Sequence, residues 1–422
     1  MRKDNADCYP VRADTVSWKY SPEGLVLVSV PRRHIRGYVN EDALTVLRLC
    51  DGATAVKDMV ALVAEQKEVS FDRAQEALSA ALSYLKLIQL LDYRDIPGES
   101  HLLIDRNTID RSHLNHLFIH AGGDCRYGCS GCMLVGGDGT EVADLVWQGV
   151  NAGVLGITLY GTHAGRCLDQ ALTGLLAEHG VTLSVYVPHG LCEQDYDTVV
   201  ACPGTTVILP LTIPFADTPQ LAILQTAAKR LSGTAVKLSV RVVAERFTLD
   251  DVMSLGLSCS QIGVSEIRLR PSVDFWPLSA SGKLVDASLI GRVHNELFTR
   301  KLPVPDIVVS DICHMEPDCF ICGAGASSLW IMADGSVRPC HYIDLGLGSI
   351  RGRTLSEVWG KVSSDIRFRA LADTPVDCDG CEDAERCQGG CPAARIAAGN
   401  VHGVDRGRCL MYDPTGGERV GR

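Results

Sequence analysis

Three cysteines stand within eight residues and follow directly on an apolar run of the chain. The segment reads Cys125-Arg-Tyr-Gly-Cys129-Ser-Gly-Cys132, and the run before it is 116–120. A CxxxCxxC loop suits one face of an iron–sulfur cube, because thiolates hold such clusters and a [4Fe–4S] cube has four irons to ligate. Three thiolates leave one iron open, which indicates a cluster that binds substrate or cofactor. The alternatives are buried thiols or a structural zinc loop, although zinc sites close four ligands in paired CxxC spacings.

A longer array of cysteines occupies the C-terminal quarter of the chain. In order, its members are Cys319, Cys322, Cys340, Cys378, Cys381, Cys387, Cys391 and Cys409. Eighteen cysteines in a chain without a secretion signal favour metal ligands over disulfides. A pair of zinc ribbons is the alternative for this array. The cysteines outside both groups, which are most often inert small hydrophobes, are Cys8, Cys50, Cys167, Cys192, Cys202, Cys259 and Cys313.

Length and composition limit the classes of protein that remain. A chain of 422 residues predicts two to four domains. The net charge of −11, with no basic run, argues against a nucleic-acid partner. The sequence has no apolar segment long enough to cross a bilayer, and its first residues lack the apolar centre of a signal peptide. We therefore expect a cytoplasmic protein with no membrane partner.

The N-terminal part predicts a small domain of strand and helices over residues 1–96. A strand is expected at 24–30, and three helices follow with amphipathic stripes at i, i+3, i+4 and i+7. Asn40 is predicted to cap the first helix and Thr54 the second. The apolar stripes are Ala43, Val46, Leu47 and Cys50, then Val56, Met59, Val60 and Val63, then Leu78, Ala81, Leu82 and Leu85. This order predicts a winged-helix-like domain, followed by a linker over 97–112.

Strand-like and helix-like runs alternate from residue 113 to about 300. The predicted strands are 116–120, 156–160, 181–187, 205–211, 235–243 and 265–270. Alternation of this kind predicts parallel βα units and an α/β class.

Together, the cysteine loop, the βα units and the C-terminal array resemble radical S-adenosylmethionine (SAM) enzymes with a SPASM extension, of the kind that matures peptides. The segments 345–350 and 389–393 and the capping box of Thr354 and Glu357 also match the SPASM pattern. The resemblance implies a partial (β/α)6 radical SAM barrel over 113–305 with its cluster loop after the first strand. It also implies a cysteine-rich SPASM domain over 306–422. Active sites of such barrels lie at the C-terminal ends of the strands.

The resemblance also implies the ligands of three [4Fe–4S] clusters. The barrel cluster takes Cys125, Cys129 and Cys132, and SAM chelates its open iron. The outer auxiliary cluster takes Cys378, Cys381, Cys387 and Cys409. The inner auxiliary cluster takes Cys322, Cys340 and Cys391, with Cys319 or Cys313 as its fourth ligand, and the compact spacing of Cys319 and Cys322 favours Cys319.

Contacts to SAM depart from the family pattern. Where relatives carry Gly-Gly-Glu-Pro after the second strand, this chain has Gly161, Thr162, His163 and Ala164, so one glycine is kept. Gly161, Thr162 and His163 are therefore candidate SAM contacts, and for His163 the alternatives are a base or a surface residue. Arg241, in the fifth predicted strand, suits a bidentate pair with the SAM carboxylate, and a salt bridge within the barrel is the alternative. The residues identify no catalytic acid or base.

The implied function is the modification of a ribosomally synthesised precursor peptide. In this family SAM is cleaved reductively to a 5′-deoxyadenosyl radical, which abstracts a hydrogen from the peptide. The expected product is an intramolecular crosslink, either carbon–carbon, thioether or ether. The expected partners are a leader peptide, added as a strand to an edge of the N-terminal sheet, and an electron donor of the flavodoxin or ferredoxin type.

Two other functions fit the same residues. One is a SPASM oxidase or dehydrogenase of the sulfatase-maturase type, acting on a folded protein or a small molecule. The other is an electron-transfer protein whose clusters are closed by protein ligands. A winged helix with a DNA-binding or purely structural role is the alternative for the N-terminal domain.

Overall fold

The structure is a computed structural model of the chain. It describes residues 7–20, 26–30, 35–105, 114–122, 142–161, 164, 167–187, 190–202, 204–212, 219–244, 249–271, 306–309, 322–381, 384, 389–397 and 402–404. The chain divides into two compact units, one of residues 1–111 and 176–182 and the other of residues 112–175 and 183–422. No helix in the described ranges is both long enough and apolar enough to cross a bilayer.

The first unit combines short strands with three helices. Its elements are β1 (Tyr9–Arg12), β2 (Val16–Tyr20), β3 (Val26–Val30), β4 (Ile35–Val39), α1 (Glu41–Leu49), α2 (Val56–Gln66), α3 (Phe71–Leu87), β5 (Leu91–Arg94) and β6 (Leu103–Asp105). Strands β4, β3, β2 and β6 form one sheet in that order, and β1 pairs with β5. The predicted linker at 97–112 therefore includes a strand, because β6 pairs in parallel with β2.

The three predicted helices form, and their apolar stripes are buried. Asn40 caps α1 as predicted, since its side chain accepts a hydrogen bond from the backbone N–H of Ala43 at 2.8 Å. The prediction that Thr54 caps α2 is wrong, because the N-cap residue is Ala55. Asp51 holds Thr54 before the helix begins. Its Oδ1 accepts from the Thr54 N–H at 2.8 Å and its Oδ2 accepts from the Thr54 hydroxyl at 3.0 Å.

The second unit contains a large sheet and the helices that cover it. Its strands are β7 (His116–His120), β8 (Gly156–Tyr160), β9 (Thr182–Tyr186), β10 (Thr205–Thr212), β11 (Lys237–Ala244), β12 (Glu266–Pro271), β13 (Asp306–Val309), β14 (Ser328–Ile331) and β15 (Val337–Arg338). Its helices are α4 (Val142–Asn151), α5 (Gln170–Glu178), α6 (Glu193–Val200), α7 (Pro219–Leu231), α8 (Leu249–Ile262), α9 (Leu355–Ser364), α10 (Ile366–Arg369) and α11 (Pro392–Ala397).

The strand order confirms the predicted parallel α/β sheet. The nine strands run β13-β12-β11-β10-β9-β8-β7-β14-β15, so β7 to β13 lie side by side in chain order. The observed bounds of β7 to β12 lie within two residues of the predicted ones. The sequence did not predict that β14, from the C-terminal region, pairs in parallel with β7. The parallel sheet is therefore extended at β7 by a strand of the cysteine-rich region.

The two faces of this sheet have different chemistry, because successive strand residues point to opposite faces. The aliphatic face comprises Leu117, Ile119, Ile157, Leu159, Val207, Leu209, Leu238, Val240, Leu329 and Ile331, all buried. Helix α4 packs on it so closely that a Cβ on Gly149 would lie 3.1 Å from Leu117 Cδ2. The polar face comprises His116, Phe118, His120, Thr158, Tyr160, Tyr186, Ser239, Arg241, Glu266, Ser328 and Trp330, which are also buried.

Helix α9 begins with the predicted capping box. The Thr354 hydroxyl accepts from the Glu357 N–H at 3.3 Å, and the Glu357 carboxylate accepts from the Thr354 N–H at 2.7 Å. The next free amide, that of Leu355, donates to Gln148 Oε1 on α4 at 2.5 Å. The cysteine-rich region is therefore bound to the first helix of the barrel as well as to its first strand.

Candidate functional site

Aromatic rings line the polar face at the start of the barrel. Phe118 and Trp330 lie opposite each other on β7 and β14, and their rings stack with centroids 4.3 Å apart and planes 11° apart. Tyr160 lies 4.9 Å from Trp330 and 5.1 Å from Tyr186. These four rings form a continuous buried surface beside the C-terminal ends of β7, β8 and β9, which is the end where barrel active sites lie.

Gly161, which follows β8, is held between two neighbouring strand ends. Its backbone has φ +114°, a conformation that L side chains rarely adopt. A Cβ at this position would lie 2.2 Å from the carbonyl oxygen of Gly122, which follows β7. Its N–H donates to the carbonyl of Tyr186 at 3.2 Å. The close backbone approach therefore requires glycine here. The other two predicted SAM contacts in this loop, Thr162 and His163, lie outside the described residues.

Arg241 lies on the polar face within the same group of strands. Its side chain is 8% exposed, and its guanidinium carbon lies 5.6 Å from the centroid of the Tyr186 ring. Gly161 contacts the same tyrosine through its backbone. The structure thus brings two predicted SAM contacts onto one residue, Tyr186, which the sequence analysis did not single out. The sequence signal that could have found Tyr186 is its position one residue before the end of a predicted strand, 181–187.

The N-terminal end of the polar face carries a buried ion pair. Lys237 Nζ lies 3.0 Å from Glu266 Oε2, and the Glu266 side chain is 1% exposed. Pairing of this kind offsets the cost of placing a carboxylate in the protein interior. The pair lies two residues from Ser239 and four residues from Arg241 along β11. It belongs to the base of the barrel rather than to the strand ends.

The three described cysteines of the predicted inner cluster occur together. Cys340 and Cys391 are buried in one small core with Ala324, Ile343, Leu371 and Ala393, and Cys322 packs against that core. The Tyr342 N–H donates to Cys340 Sγ at 3.5 Å, and His341 Nδ1 lies 3.9 Å from the same sulfur. Hydrogen bonds to cysteine sulfur are a feature of iron–sulfur ligation. The donor set therefore fits a thiolate-ligated cluster.

The described cysteines do not converge as ligands of a single ion would. Within the residues the structure covers, no three His, Cys, Asp or Glu side chains are arranged to hold one metal ion. A cube binds each thiolate at a different iron, so its ligands need not meet at one point. Of the outer group, Cys378 is buried and Cys381 exposed, and the Cys381 N–H donates to the Cys378 carbonyl at 3.0 Å. Ligand candidates outside the described residues are Cys125, Cys129, Cys132, Cys313, Cys319, Cys387 and Cys409.

Four of the other described cysteines have surroundings that disfavour ligation, namely Cys50, Cys167, Cys202 and Cys259. Burial raises the pKa of Cys50 and of Cys259 to about 12. Burial likewise raises the pKa of Cys167 and Cys202. Metal ligation and nucleophilic attack both need the thiolate, so these thiols are kept in the unreactive protonated form at neutral pH.

A comparison with protein families identifies the C-terminal region. Residues 322–388 match the family model for SPASM, described as an iron–sulfur cluster-binding domain. This region is a SPASM domain. The match contains the described cysteines Cys322, Cys340, Cys378 and Cys381, and it also contains strand β14, so the SPASM domain itself supplies the strand that pairs with β7.

Curated relatives match over part of their length. A PqqA peptide cyclase of Xanthomonas oryzae pv. oryzae is 30% identical over 105 residues, which are 24% of this chain and 28% of that protein. An AdoMet-dependent heme synthase of Nitratidesulfovibrio vulgaris is 30% identical over 93 residues, which are 22% of this chain and 24% of that protein. The matched segments therefore span about a quarter of these relatives.

Solved structures match over nearly the whole chain. Streptococcus suis SuiB bound to precursor peptide SuiA aligns with a TM-score of 0.60 at 14% identity, covering 95% of this chain and 99% of that one. SuiB bound to S-adenosylmethionine aligns with a TM-score of 0.57 and covers 92% of this chain. The protein therefore has the fold of SuiB from the N-terminal unit to the SPASM domain.

Proposed function

We propose that this protein is a radical SAM enzyme that modifies a ribosomally synthesised precursor peptide. The observation that carries the proposal is a SuiB-like fold over 95% of the chain in which an iron–sulfur domain completes the barrel sheet. SuiB has been solved bound to S-adenosylmethionine and bound to its precursor peptide SuiA, and the PqqA cyclase is named for action on a peptide. These relatives support a peptide substrate for this chain.

SAM is proposed to bind at the strand ends of the polar face. The backbone of Gly161 offers close approach without a side chain, and Arg241 offers a guanidinium fork for the SAM carboxylate. Tyr186 positions both groups, since its carbonyl accepts from Gly161 and its ring lies beneath Arg241. Thr162 and His163 are assigned to SAM by resemblance alone.

Three [4Fe–4S] clusters are proposed, with the ligands that the resemblance implies and with Cys319 as the fourth ligand of the inner cluster. When bound, the barrel cluster and SAM supply the 5′-deoxyadenosyl radical that abstracts hydrogen from the peptide. The role of the described residues is to exclude water from that chemistry. Phe118, Tyr160 and Trp330 are each 1% exposed. A dry, aromatic surface limits side reactions of a radical.

The leader peptide is proposed to dock at the edge strand β4 of the N-terminal sheet. Within the described residues, β4 pairs with β3 on one side and has no strand on the other. Helix α3 lies beside β4, since the Tyr84 hydroxyl donates to the Tyr38 carbonyl at 3.5 Å. This helix exposes an apolar stripe of Ala77, Ala80, Tyr84 and Leu87, with Leu87 79% exposed. An edge strand next to apolar side chains suits an added peptide strand.

A pair of leucine substitutions tests the docking surface. Leu87→Glu should weaken binding of a fluorescently labelled leader by about tenfold or more, because it places a charge on the apolar stripe. Leu62→Glu is the matched control, since Leu62 is an exposed leucine on the neighbouring helix α2. Equal binding by both variants would contradict a leader site on α3.

The function itself is tested by anaerobic reconstitution with SAM, a reductant of the flavodoxin type and the precursor peptide encoded beside the gene. The expected product is lighter than the peptide by a pair of hydrogen atoms, and tandem mass spectrometry should locate an intramolecular crosslink. Equal turnover of a peptide without its leader would favour the sulfatase-maturase type instead. Absence of 5′-deoxyadenosine under all conditions would contradict radical SAM chemistry.

A further inference from the structure

The SPASM domain shields the strand from which the barrel cluster loop begins. Strand β14 pairs with β7 in the register Ser328 to His116 through Ile331 to Ile119. The Ser327 carbonyl also accepts from the backbone N–H groups of Asn115 at 2.7 Å and His116 at 3.1 Å. An edge strand without such a partner leaves a row of backbone groups unpaired. The order of β7 therefore depends on a strand of the iron–sulfur domain.

One side chain joins this strand pair to the inner cysteines. Trp330 stacks on Phe118 of β7 and lies 4.4 Å from the ring of His341. His341 directly follows Cys340, and its Nδ1 lies 3.9 Å from the Cys340 sulfur. The Trp330 Nε1 is buried and has no hydrogen-bond partner among the described residues. The indole ring is therefore placed by its packing against Phe118, Tyr160 and His341 and not by a polar anchor.

We propose that Trp330 is a positioning residue that transmits iron–sulfur loading of the SPASM domain to β7. Binding a cluster to Cys322, Cys340 and Cys391 would fix Cys340 and His341, which hold Trp330 against Phe118. Phe118 is part of β7, and residues 121 and 122 follow that strand directly. A ligand that binds only the folded state stabilises the elements that are coupled to its site. Hydrogen exchange of single segments measures this stabilisation. The inference rests on the proposed function only through cluster loading of the SPASM domain.

Hydrogen exchange of the full chain tests this coupling. Amide exchange over 114–122 is measured by mass spectrometry in a full chain that carries Cys125→Ala, Cys129→Ala and Cys132→Ala, so that the barrel cluster is absent throughout. The SPASM clusters of this chain are either loaded or stripped by anaerobic chelation. Loss of the clusters should raise exchange over 114–122 by about tenfold or more, while β11, four strands away in the sheet, changes little. Equal exchange over 114–122 in the two forms would overturn the proposal.

Substitutions then separate coupling from simple destabilisation. In Trp330→Leu, loading should no longer change exchange over 114–122, whereas Trp330→Phe keeps a ring at the stack and should restore the effect. Trp359→Phe is the matched control, because Trp359 is a buried tryptophan of the same domain that packs on Phe368. If cluster loading still lowers amide exchange over 114–122 to the same extent in Trp330→Leu, the proposed role of Trp330 is wrong.

Iron analysis distinguishes this inference from the function on which it rests. The Trp330 variants should keep the iron content of the unchanged chain, since Trp330 is not a ligand. If SAM is not cleaved but exchange over 114–122 still responds to loading, the positioning role holds and radical SAM chemistry fails. If SAM is cleaved without any response over 114–122, the function holds and the positioning role fails.

Discussion

Neighbouring residues on the strands of the parallel sheet are similarly buried but lie on opposite faces of the sheet. On β7, Ile119 and Phe118 are 0% and 1% exposed, and on β11, Val240 and Arg241 are 0% and 8% exposed. Ile119 and Val240 lie on the aliphatic face, which packs against helices. Phe118 and Arg241 lie on the polar face, whose rings and guanidinium lead to the strand ends. Burial alone therefore does not separate these two sets of residues, whereas the face of the sheet on which a residue lies does.

The same distinction applies to the cysteines. Cys259 and Cys340 are both buried, yet burial raises the pKa of Cys259 to about 12, while Cys340 Sγ accepts a backbone N–H and packs in one core with Cys391. The exposed fraction alone would not distinguish Cys259 from Cys340. A buried sulfur with donors and further thiols nearby is prepared for ligation, and an isolated one is a small hydrophobe.

The largest expected effect on stability comes from the aliphatic face. Ile119→Ala removes a fully buried side chain and should lower the free energy of unfolding by about 2–5 kcal/mol. SAM affinity of the folded fraction should stay unchanged, because Ile119 lies on the aliphatic face and not on the polar face. Urea denaturation and SAM binding by calorimetry measure the two quantities. If Ile119→Ala bound SAM more weakly and kept its free energy of unfolding, the distinction between the aliphatic face and the polar face would be contradicted.

Gly161→Ala tests the end of the polar face. A Cβ would lie 2.2 Å from a backbone oxygen at a φ of +114°, so the loop must move. SAM cleavage should fall by about a hundredfold, since displacements of about 1 Å at a reacting centre have effects of that size. Gly174→Ala is the control, because a Cβ at Gly174 meets no atom within 4 Å. Similar 5′-deoxyadenosine yields from both variants would contradict the assignment.

Arg241→Gln should weaken SAM binding by about tenfold or more, because it removes a charge-assisted pair. Arg230→Gln provides a close match, since the Arg230 guanidinium lies 5.6 Å from the Tyr196 ring as that of Arg241 does from Tyr186. Arg230 is on the surface helix α7 and should not affect SAM. Arg241→Lys keeps the charge without the fork and should recover only part of the affinity. Calorimetric titration with SAM measures the affinity of Arg241→Gln, Arg241→Lys and Arg230→Gln.

The smallest effect is expected from the isolated thiols. Burial raises the pKa of Cys259 in the folded chain to about 12, from an ordinary thiol pKa of 9.0. The folded chain therefore binds more protons than the unfolded chain between these values, and stability is lost as pH rises through them. Near pH 10 the loss is on the order of 1 kcal/mol, and Cys259→Val should remove it. Denaturation at pH 7 and pH 10 tests this, and an equal loss of stability in both proteins would assign the pH dependence to other groups.

Local sequence pattern predicted the strands of the barrel well, because burial on both faces leaves a clear apolar run. Local sequence pattern failed where contacts between different segments of the chain determine the structure. Thr54 is a residue type that favours the N-cap position, but its N–H and its hydroxyl both donate to the Asp51 carboxylate. The pairing of β14 with β7 joins residues about 210 positions apart, which no local pattern encodes. Tyr186 reads as an ordinary strand residue, and only the fold shows that Gly161 and Arg241 both contact it.

The proposed function requires that this chain itself cleaves SAM reductively. The most direct measurement is 5′-deoxyadenosine formation by the reconstituted, reduced chain, compared with a variant in which Cys125, Cys129 and Cys132 are alanine. We expect the unchanged chain to form 5′-deoxyadenosine and its reduced EPR spectrum to change when SAM is added. The triple variant should show neither effect while retaining the iron of the SPASM domain. Undiminished SAM cleavage by the triple variant would contradict the account.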